Sequence, residues 1–216
     1  MIKANHTKWA RALYEAYIYR QMRKNFTGMF ETNQLPDIPE NQSLLVTPNH
    51  ISWWDGFIIE KLLTKRVNKT IHLMMLEKEL KKVNFFSKVG AFSIDQENSA
   101  STKETILYTR EVLKNSLNYC VVYPQGEIEP FEKPKLTIKK GIQLFIKTTN
   151  TMILPVAFKI QHENKKFPSI YVRYGSILPA VDVLRDFALF EEEFIKTRDS
   201  LNNHIFDKKE SGKNLL

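Results

Sequence analysis

Leu44-Leu-Val-Thr-Pro-Asn-His-Ile-Ser-Trp-Trp-Asp55-Gly-Phe-Ile-Ile-Glu-Lys-Leu-Leu-Thr64 changes character twice in one short stretch. Leu44–Thr47 is an apolar run of strand length, and Trp54–Thr64 reads as a helix. Between them lies Asn49-His50-Ile51-Ser52-Trp53-Trp54-Asp55, which puts a histidine and an aspartate on a strand-to-helix turn. Residues five apart do not stack on one face of a regular helix, but a turn can bring the carboxylate to the imidazole. There Asp55 accepts a hydrogen bond from one ring nitrogen, fixes the tautomer and supports the imidazolium. The other nitrogen is left to take a proton from a hydroxyl, making it a nucleophile towards a thioester carbonyl without a covalent enzyme intermediate. Taken alone, the pattern is short and common, and it better fits a capping histidine beside a helix-N-terminal aspartate.

Outward from this turn the same alternation continues. Ile71–Leu76 and Ala91–Ile94 read as strands, and Ser101-Thr-Lys-Glu104 reads as a capping box opening a helix with Ile106, Leu113 and Leu117 on one face. Tyr119–Tyr123 is a strand. A helix carries Ile138, Ile142, Phe145, Ile146 and Thr149 inward, and the strands Ile153–Phe158 and Ile170–Tyr174 follow. One final helix is expected over Leu184–His204, with a flexible tail over 207–216. Strands alternating with helices predict an α/β fold: a single domain, 35–206, with a mixed, largely parallel sheet flanked by helices. An N-terminal amphipathic helical segment, 1–34, precedes it.

The first 30 residues of that segment carry Lys3, Lys8, Arg11, Arg20, Arg23 and Lys24 against Glu15. Trp9, Ala12, Leu13, Ala16 and Tyr17 share one face at helical spacing, whereas Ile18, Tyr19, Met22 and Phe26 share another. The apolar face turns near Tyr17–Ile18, so the segment is either two short helices or one helix touching two surfaces. Aromatic and basic side chains suit a membrane interface, with Trp9, Arg11, Arg20, Arg23 and Lys24 as the expected lipid contacts. The alternative is a helix docked on the domain by one face and solvated on the other.

Composition narrows the possibilities. The 216 residues carry a formal net charge of +8, which points to an anionic partner. Cys120 is the only cysteine, which excludes an intrachain disulfide or a cysteine-rich zinc site and suits a reducing compartment. No apolar stretch approaches the ~20 residues of a membrane-spanning helix, so membrane contact is expected to be peripheral, on the cytoplasmic face. His6, His72, His162 and His204 have no motif around them; His72 reads as a core or edge residue. Glu127 and Glu129 flank Ile128 and read as surface charges or lysine partners. No Gly-x-Ser-x-Gly nucleophile, phosphate-binding glycine loop or His-Glu-x-x-His zinc helix occurs, and no nucleic-acid-binding motif.

The succession of strand, Asn49-His50-x-Ser52-Trp-Trp-Asp55 and helix, then Gly90-Ala-Phe-Ser-Ile-Asp95, Tyr123-Pro-Gln-Gly126 and Ile153-Leu-Pro155-Val, resembles the four sequence blocks of the glycerolipid acyltransferase family. That family contains the bacterial lysophosphatidate acyltransferases. The resemblance runs from about Val46 to about Phe158. Its first block is the most specific, the third is an altered Phe-Pro-Glu-Gly-Thr-Arg, and the second and fourth carry weight only in order with the others. It implies His50 as catalytic base, Asp55 as the residue that orients it, and substrate contacts at Asn49, Ser52, Gln96, Gln125, Gly126, Glu127 and Pro155. It also implies acyl-CoA or acyl carrier protein as donor, a lipid hydroxyl as acceptor, and no metal or organic cofactor.

Three positions depart from the pattern. Gln96 and Ile128 stand where the family's blocks carry arginines associated with the acceptor's phosphate, and Gln125 replaces a glutamate. Arginine holds phosphate through a planar fork that neither Gln nor Ile supplies. The expectation is therefore an uncharged acceptor such as a glycolipid or carotenoid glycoside, with Gln96 and Gln125 meeting sugar hydroxyls. Lys133, Lys135, Lys139 and Lys140 follow and could restore the missing charge, although the cluster reads first as a solvated or membrane-facing basic face. The alternatives are a lysophosphatidate acyltransferase and, in another class, a non-catalytic basic lipid-binding protein.

Overall fold

The computed structural model describes residues 1–207 and 212–216. Its strands are β1 (Gly28–Glu31), β2 (Ser43–Pro48), β3 (Thr70–Leu76), β4 (Ala91–Ile94), β5 (Asn118–Val121), β6 (Thr151–Gln161), β7 (Ser169–Tyr174) and β8 (Leu178–Pro179). The helices are α1 (Lys8–Asn25), α2 (Asp55–Leu63), α3 (Glu77–Lys82), α4 (Ser99–Lys114), α5 (Gly141–Ile146), α6 (Ala180–Arg185) and α7 (Ala188–Phe206), with a 3₁₀ turn at Asn84–Val89. The strands form one sheet in the order β1-β7-β6-β2-β5-β3-β4, with β8 beside β6. Among the named strands of the described residues, the β6–β7 and β6–β8 pairings are antiparallel and the rest parallel. The expected mixed, largely parallel α/β sheet is what the chain forms.

Strand β2 lies at the centre, buried along its whole length, as a parallel strand covered by helices on both faces must be. Its side chains alternate between two cores. Leu44 and Val46 face α1 and α2 through Tyr14, Phe57, Ile58 and Leu62. Leu45 faces the opposite layer, where Val112 of α4, Ile142 of α5, Val183 of α6 and Phe190 of α7 gather. β5 repeats the division, with Tyr119 and Val121 on the first side and Cys120, followed by Val122 just past the strand, on the second. Both strands end at the same edge of the sheet, because they are parallel and paired from Leu44 with Tyr119 to Val46 with Val121.

Several local expectations are corrected. α4 starts before the expected capping box: Asn98 is its cap, accepting a hydrogen bond from the Ser101 backbone N–H at 3.0 Å. Leu117 lies beyond that helix and is exposed. The single helix expected over Leu184–His204 is two, α6 and α7, separated at Asp186–Phe187. Phe187 turns into the core there, and the Asp186 side chain accepts from the Ala188 N–H at 3.0 Å. The tail expected over 207–216 lies partly outside the described residues (208–211). Its end runs along β1, with Gly212 N–H donating to Glu31 O and Leu215 N–H to Met29 O, both at 2.9 Å.

The N-terminal segment is also resolved differently. α1 is one helix that docks by Ala10, Tyr14, Ile18 and Met22, a stripe repeating every four residues. The stripe Trp9, Leu13 and Tyr17 is left in solvent. Both stripes are apolar, so periodicity showed a rotation of the face near Tyr17 where there are two neighbouring stripes on one straight helix. The boundary expected at 34/35 has no counterpart: α1 packs into the first core, β1 pairs with β7, and Ile2 hydrogen-bonds Ser93 of β4. Arg11 points inward to the buried Glu60 and to the Val89 carbonyl, which removes it from the lipid contacts. An unpaired Glu60 under α1 would carry a large desolvation penalty, and the guanidinium offsets it. Among the described residues no helix is long and apolar enough to cross a membrane.

Candidate active site

The turn after β2 is built by Asn49. Its N–H donates to Val156 O at 3.1 Å, and its side-chain amide both donates to Phe158 O at 2.9 Å and accepts from Phe158 N–H at 2.8 Å. Asn49 thus extends the β2–β6 pairing with a side chain in place of backbone, and is fully buried. This corrects its expected substrate contact: neither end of the amide is free. An N49A protein is expected to lose roughly 1–3 kcal/mol of stability, because the Phe158 backbone is left buried without partners. Denaturant unfolding reads this directly, and an unchanged midpoint would count against the structural role.

Beyond the turn, Asp55 opens α2 with its carboxylate folded back over the preceding residues. Oδ2 accepts from His50 Nδ1 at 2.7 Å, Ile51 N–H at 2.7 Å and Ser52 N–H at 3.0 Å, and Oδ1 accepts from Ser52 Oγ at 2.8 Å. The carboxylate is 1% exposed. Four donors and the positive end of the α2 dipole compensate the buried charge. Because the carboxylate only accepts, Nδ1 carries the proton shared with it and Nε2 is the ring's free acceptor. Ser52, expected to touch substrate, instead donates to Asp55 and accepts from the Trp54 N–H at 3.1 Å. Its hydroxyl locks the carboxylate.

The second wall comes from the loop after β5. Tyr123 lies flat against His50, with ring centroids 4.2 Å apart and planes 21° from parallel. Gln125 accepts from the His50 N–H through Oε1 at 2.7 Å and donates through Nε2 to Glu129 Oε2 at 2.8 Å. Glu129 N–H donates to His50 O at 2.8 Å, and its carboxylate is held by Lys133. These hydrogen bonds keep the Glu129 carboxyl below the usual range although its burial pushes the other way. Gln125 is thus a clamp on the His50 backbone, with both ends of its amide taken. That corrects its expected role towards a sugar hydroxyl.

Gly126 adopts φ +75°, a left-handed conformation suited to glycine, and a Cβ built there would fall 2.6 Å from Lys139 Nζ. The Lys139 backbone N–H donates to Pro124 O at 2.9 Å, so this lysine is pinned across the turn. Glu127 and Gln96 are exposed on loops after β5 and β4, and Pro155 is buried within β6 opposite Thr47. Pro155 therefore sits in the sheet interior rather than on a substrate-facing surface. Sequence reasoning missed Tyr123 and Trp53, whereas Glu129 is the lysine partner that was one of its two readings, paired with Lys133. Trp53 is 63% exposed and stands three residues from His50. The signal for Tyr123 was its position directly before Pro-Gln-Gly, two residues beyond the strand adjacent to the one that delivers His50.

Fold and site together define an α/β enzyme with a histidine–aspartate pair at the edge of two neighbouring parallel strands. A family model described as Acyltransferase matches residues 29–159, and the chain belongs to that family. It is an acyltransferase. Among solved structures, the 1-acyl-sn-glycerophosphate (LPA) acyltransferase PlsC from Thermotoga maritima shares the fold, with a TM-score of 0.67 and 16% identity over 92% of this chain and 80% of that one. No curated protein matches the chain in sequence.

Proposed function

We propose that this acyltransferase moves a fatty acyl group from acyl-CoA or acyl carrier protein to a hydroxyl of a lipid acceptor, with His50 as general base. Nε2 takes the hydroxyl proton as the oxygen attacks the thioester carbonyl. The tetrahedral intermediate then expels the thiolate, which takes up the proton from the imidazolium. The observation that carries this reading is the 2.7 Å contact of His50 Nδ1 with a carboxylate that three further donors hold still. It prepares the ring for one proton transfer in each direction. The nucleophile is the acceptor's own oxygen: Ser52 is engaged with Asp55, and the Cys120 thiol is buried in β5 and its acidity suppressed by burial.

Two acceptor classes compete. Engagement of Gln125 within the protein removes one of the two amides expected to recognise a sugar. Lys139 favours an anionic lysolipid, since it lies across the third-block turn and makes no ion pair among the described residues, whereas Lys133 is tied to Glu129. We therefore favour a phosphate-bearing lysolipid of the lysophosphatidate type over a glycolipid or carotenoid glycoside. A competition between lysophosphatidate and a neutral glycolipid with one acyl donor tests this. The expected result is preference for lysophosphatidate, with KM for it raised in a K139A enzyme. Preference for the glycolipid, unaffected by K139A, returns the acceptor to the uncharged class.

A peripheral membrane contact also belongs to this reading. The solvent face of α1 carries Trp9, Leu13 and Tyr17 in its first half and Arg20 and Lys24 further on, with Arg23 at its flank. Tyr17 and Trp53 both pack on Phe57, at 6.2 and 4.8 Å between centroids, so the patch reaches the His50 turn. Lipid substrates can enter the site from the bilayer along it. Removing α1 would unmake the core, so point changes are the right test. A W9S/L13S/Y17S/W53S protein should stay folded and lose most of its flotation with anionic vesicles. Undiminished flotation would place the lipid-binding surface elsewhere.

A further inference from the structure

We propose that Tyr123 is a positioning residue whose ring stabilises the imidazolium form of His50 during proton transfer. This rests on the reading of His50 as general base and adds a second support to the one from Asp55. Its basis is geometric. The two rings lie 4.2 Å apart and 21° from parallel, a stacked arrangement rather than the edge-to-face contacts that dominate the aromatic cluster around Phe57. Stacking presents the electron-rich face of the phenol to the imidazole. A neutral imidazole gains little from that face, whereas an imidazolium is attracted to it. The interaction therefore strengthens as the hydroxyl proton arrives, which is the condition for lowering a barrier rather than tightening a ground state.

The hydroxyl of Tyr123 takes no part. It is buried without a hydrogen-bond partner among the described residues, and burial, reinforced by the charge of Asp55, raises its pKa well above the ordinary phenol value. It stays a neutral phenol and donates nothing to the site. The ring alone carries the effect, which is where a phenol differs least from a phenyl. The other groups facing this part of the site are accounted for. Asp55 of α2 contacts Nδ1, Gln125 accepts from the His50 N–H, Glu129 of the same loop is held by Lys133, and Tyr14 of α1 approaches Tyr123 rather than His50. None of them meets the face of the imidazole that Tyr123 covers.

The test is a series at position 123 in the full-length enzyme, assayed with one acyl thioester and one lysolipid across pH. Tyr123→Phe should keep kcat within about twofold and leave the acid limb of the kcat/KM profile in place. Tyr123→Met should lower kcat about 5–30-fold with little change in KM, and move that limb to lower pH, because the imidazolium loses its support. Pentafluorophenylalanine at position 123 keeps the shape and reverses the charge distribution of the ring face. It should lose at least as much as Met, and it keeps the test open if the Met variant unfolds. Retention of kcat and of the acid limb by the fluorinated enzyme overturns the proposal and leaves Tyr123 a packing residue. Equal losses in the Phe and Met variants overturn it too, by assigning the effect to the hydroxyl. His50→Ala run alongside separates the two layers: an active His50→Ala enzyme defeats the general-base reading, whereas an inactive one beside an indifferent fluorinated enzyme defeats only the stacking role.

Discussion

An H50A enzyme is expected to fold normally and to lose about 10²–10⁴ of its acyl-transfer rate. The magnitude follows from what His50 does and does not hold together. Its side chain is 24% exposed and makes one hydrogen bond, to Asp55. The turn around it is secured by backbone instead: His50 N–H to Gln125, Glu129 N–H to His50 O, and the Asn49–Phe158 pair beneath. Alanine keeps all of these. The loss should therefore appear in kcat at an unchanged unfolding midpoint. A rate within a few-fold of the parent enzyme would remove histidine from the chemistry.

D55N is the second large effect, expected at roughly 10²–10⁴ in kcat. An asparagine carbonyl can still accept from Ile51 N–H and Ser52 N–H, and its amide can face Ser52 Oγ in place of Oδ1. The turn survives, but the negative charge that balances a protonated His50 is gone. Because the two residues act as one unit, the double variant H50A/D55N should be no slower than H50A. Additive losses would mean that Asp55 contributes independently of the imidazole, for example by holding the turn alone. Stability measurements distinguish that case, since Asp55 is buried and four donors converge on it.

The parts of this molecule legible in its sequence are those where a single periodicity operates. Strands β2 to β7 were visible because their apolar runs are short and bounded, and α2 because it follows the His–Asp turn. The pair itself was readable because both residues lie on one continuous stretch of chain, and the hydrogen bond between them is local. What failed is where two readings of similar strength overlap. α1 carries two adjacent apolar stripes, and only contact with Phe57, Phe86 and the sheet selects the one through Ala10 and Tyr14. Asn98, three positions before Ser101, captures the N-terminus of α4 and displaces a capping box that fits the pattern equally well.

Site residues were hardest where the motif is shared between chemistry and architecture. Asn49, Ser52, Gln125 and Pro155 lie inside the blocks that resemble the family, yet each is occupied in holding the turn or the sheet. A one-dimensional pattern cannot separate a residue that meets substrate from one that holds its neighbour. The missing information is long-range: Gln125 reaches His50 across 75 positions, and Tyr123 meets it only because β5 lies beside β2. Lys139 likewise comes over Gly126 only through its backbone bond to Pro124 O, thirteen to fifteen positions back along the chain.

The most direct test of the central claim is product analysis by mass spectrometry of purified enzyme with a labelled acyl thioester, supplied as acyl-CoA and as acyl carrier protein, and lysolipid-containing vesicles. The expected product is an ester of the labelled chain with the acceptor hydroxyl, formed in equal amount with the released thiol and absent with H50A. Thiol released with free fatty acid in place of ester, or ester formed equally by H50A, would contradict it.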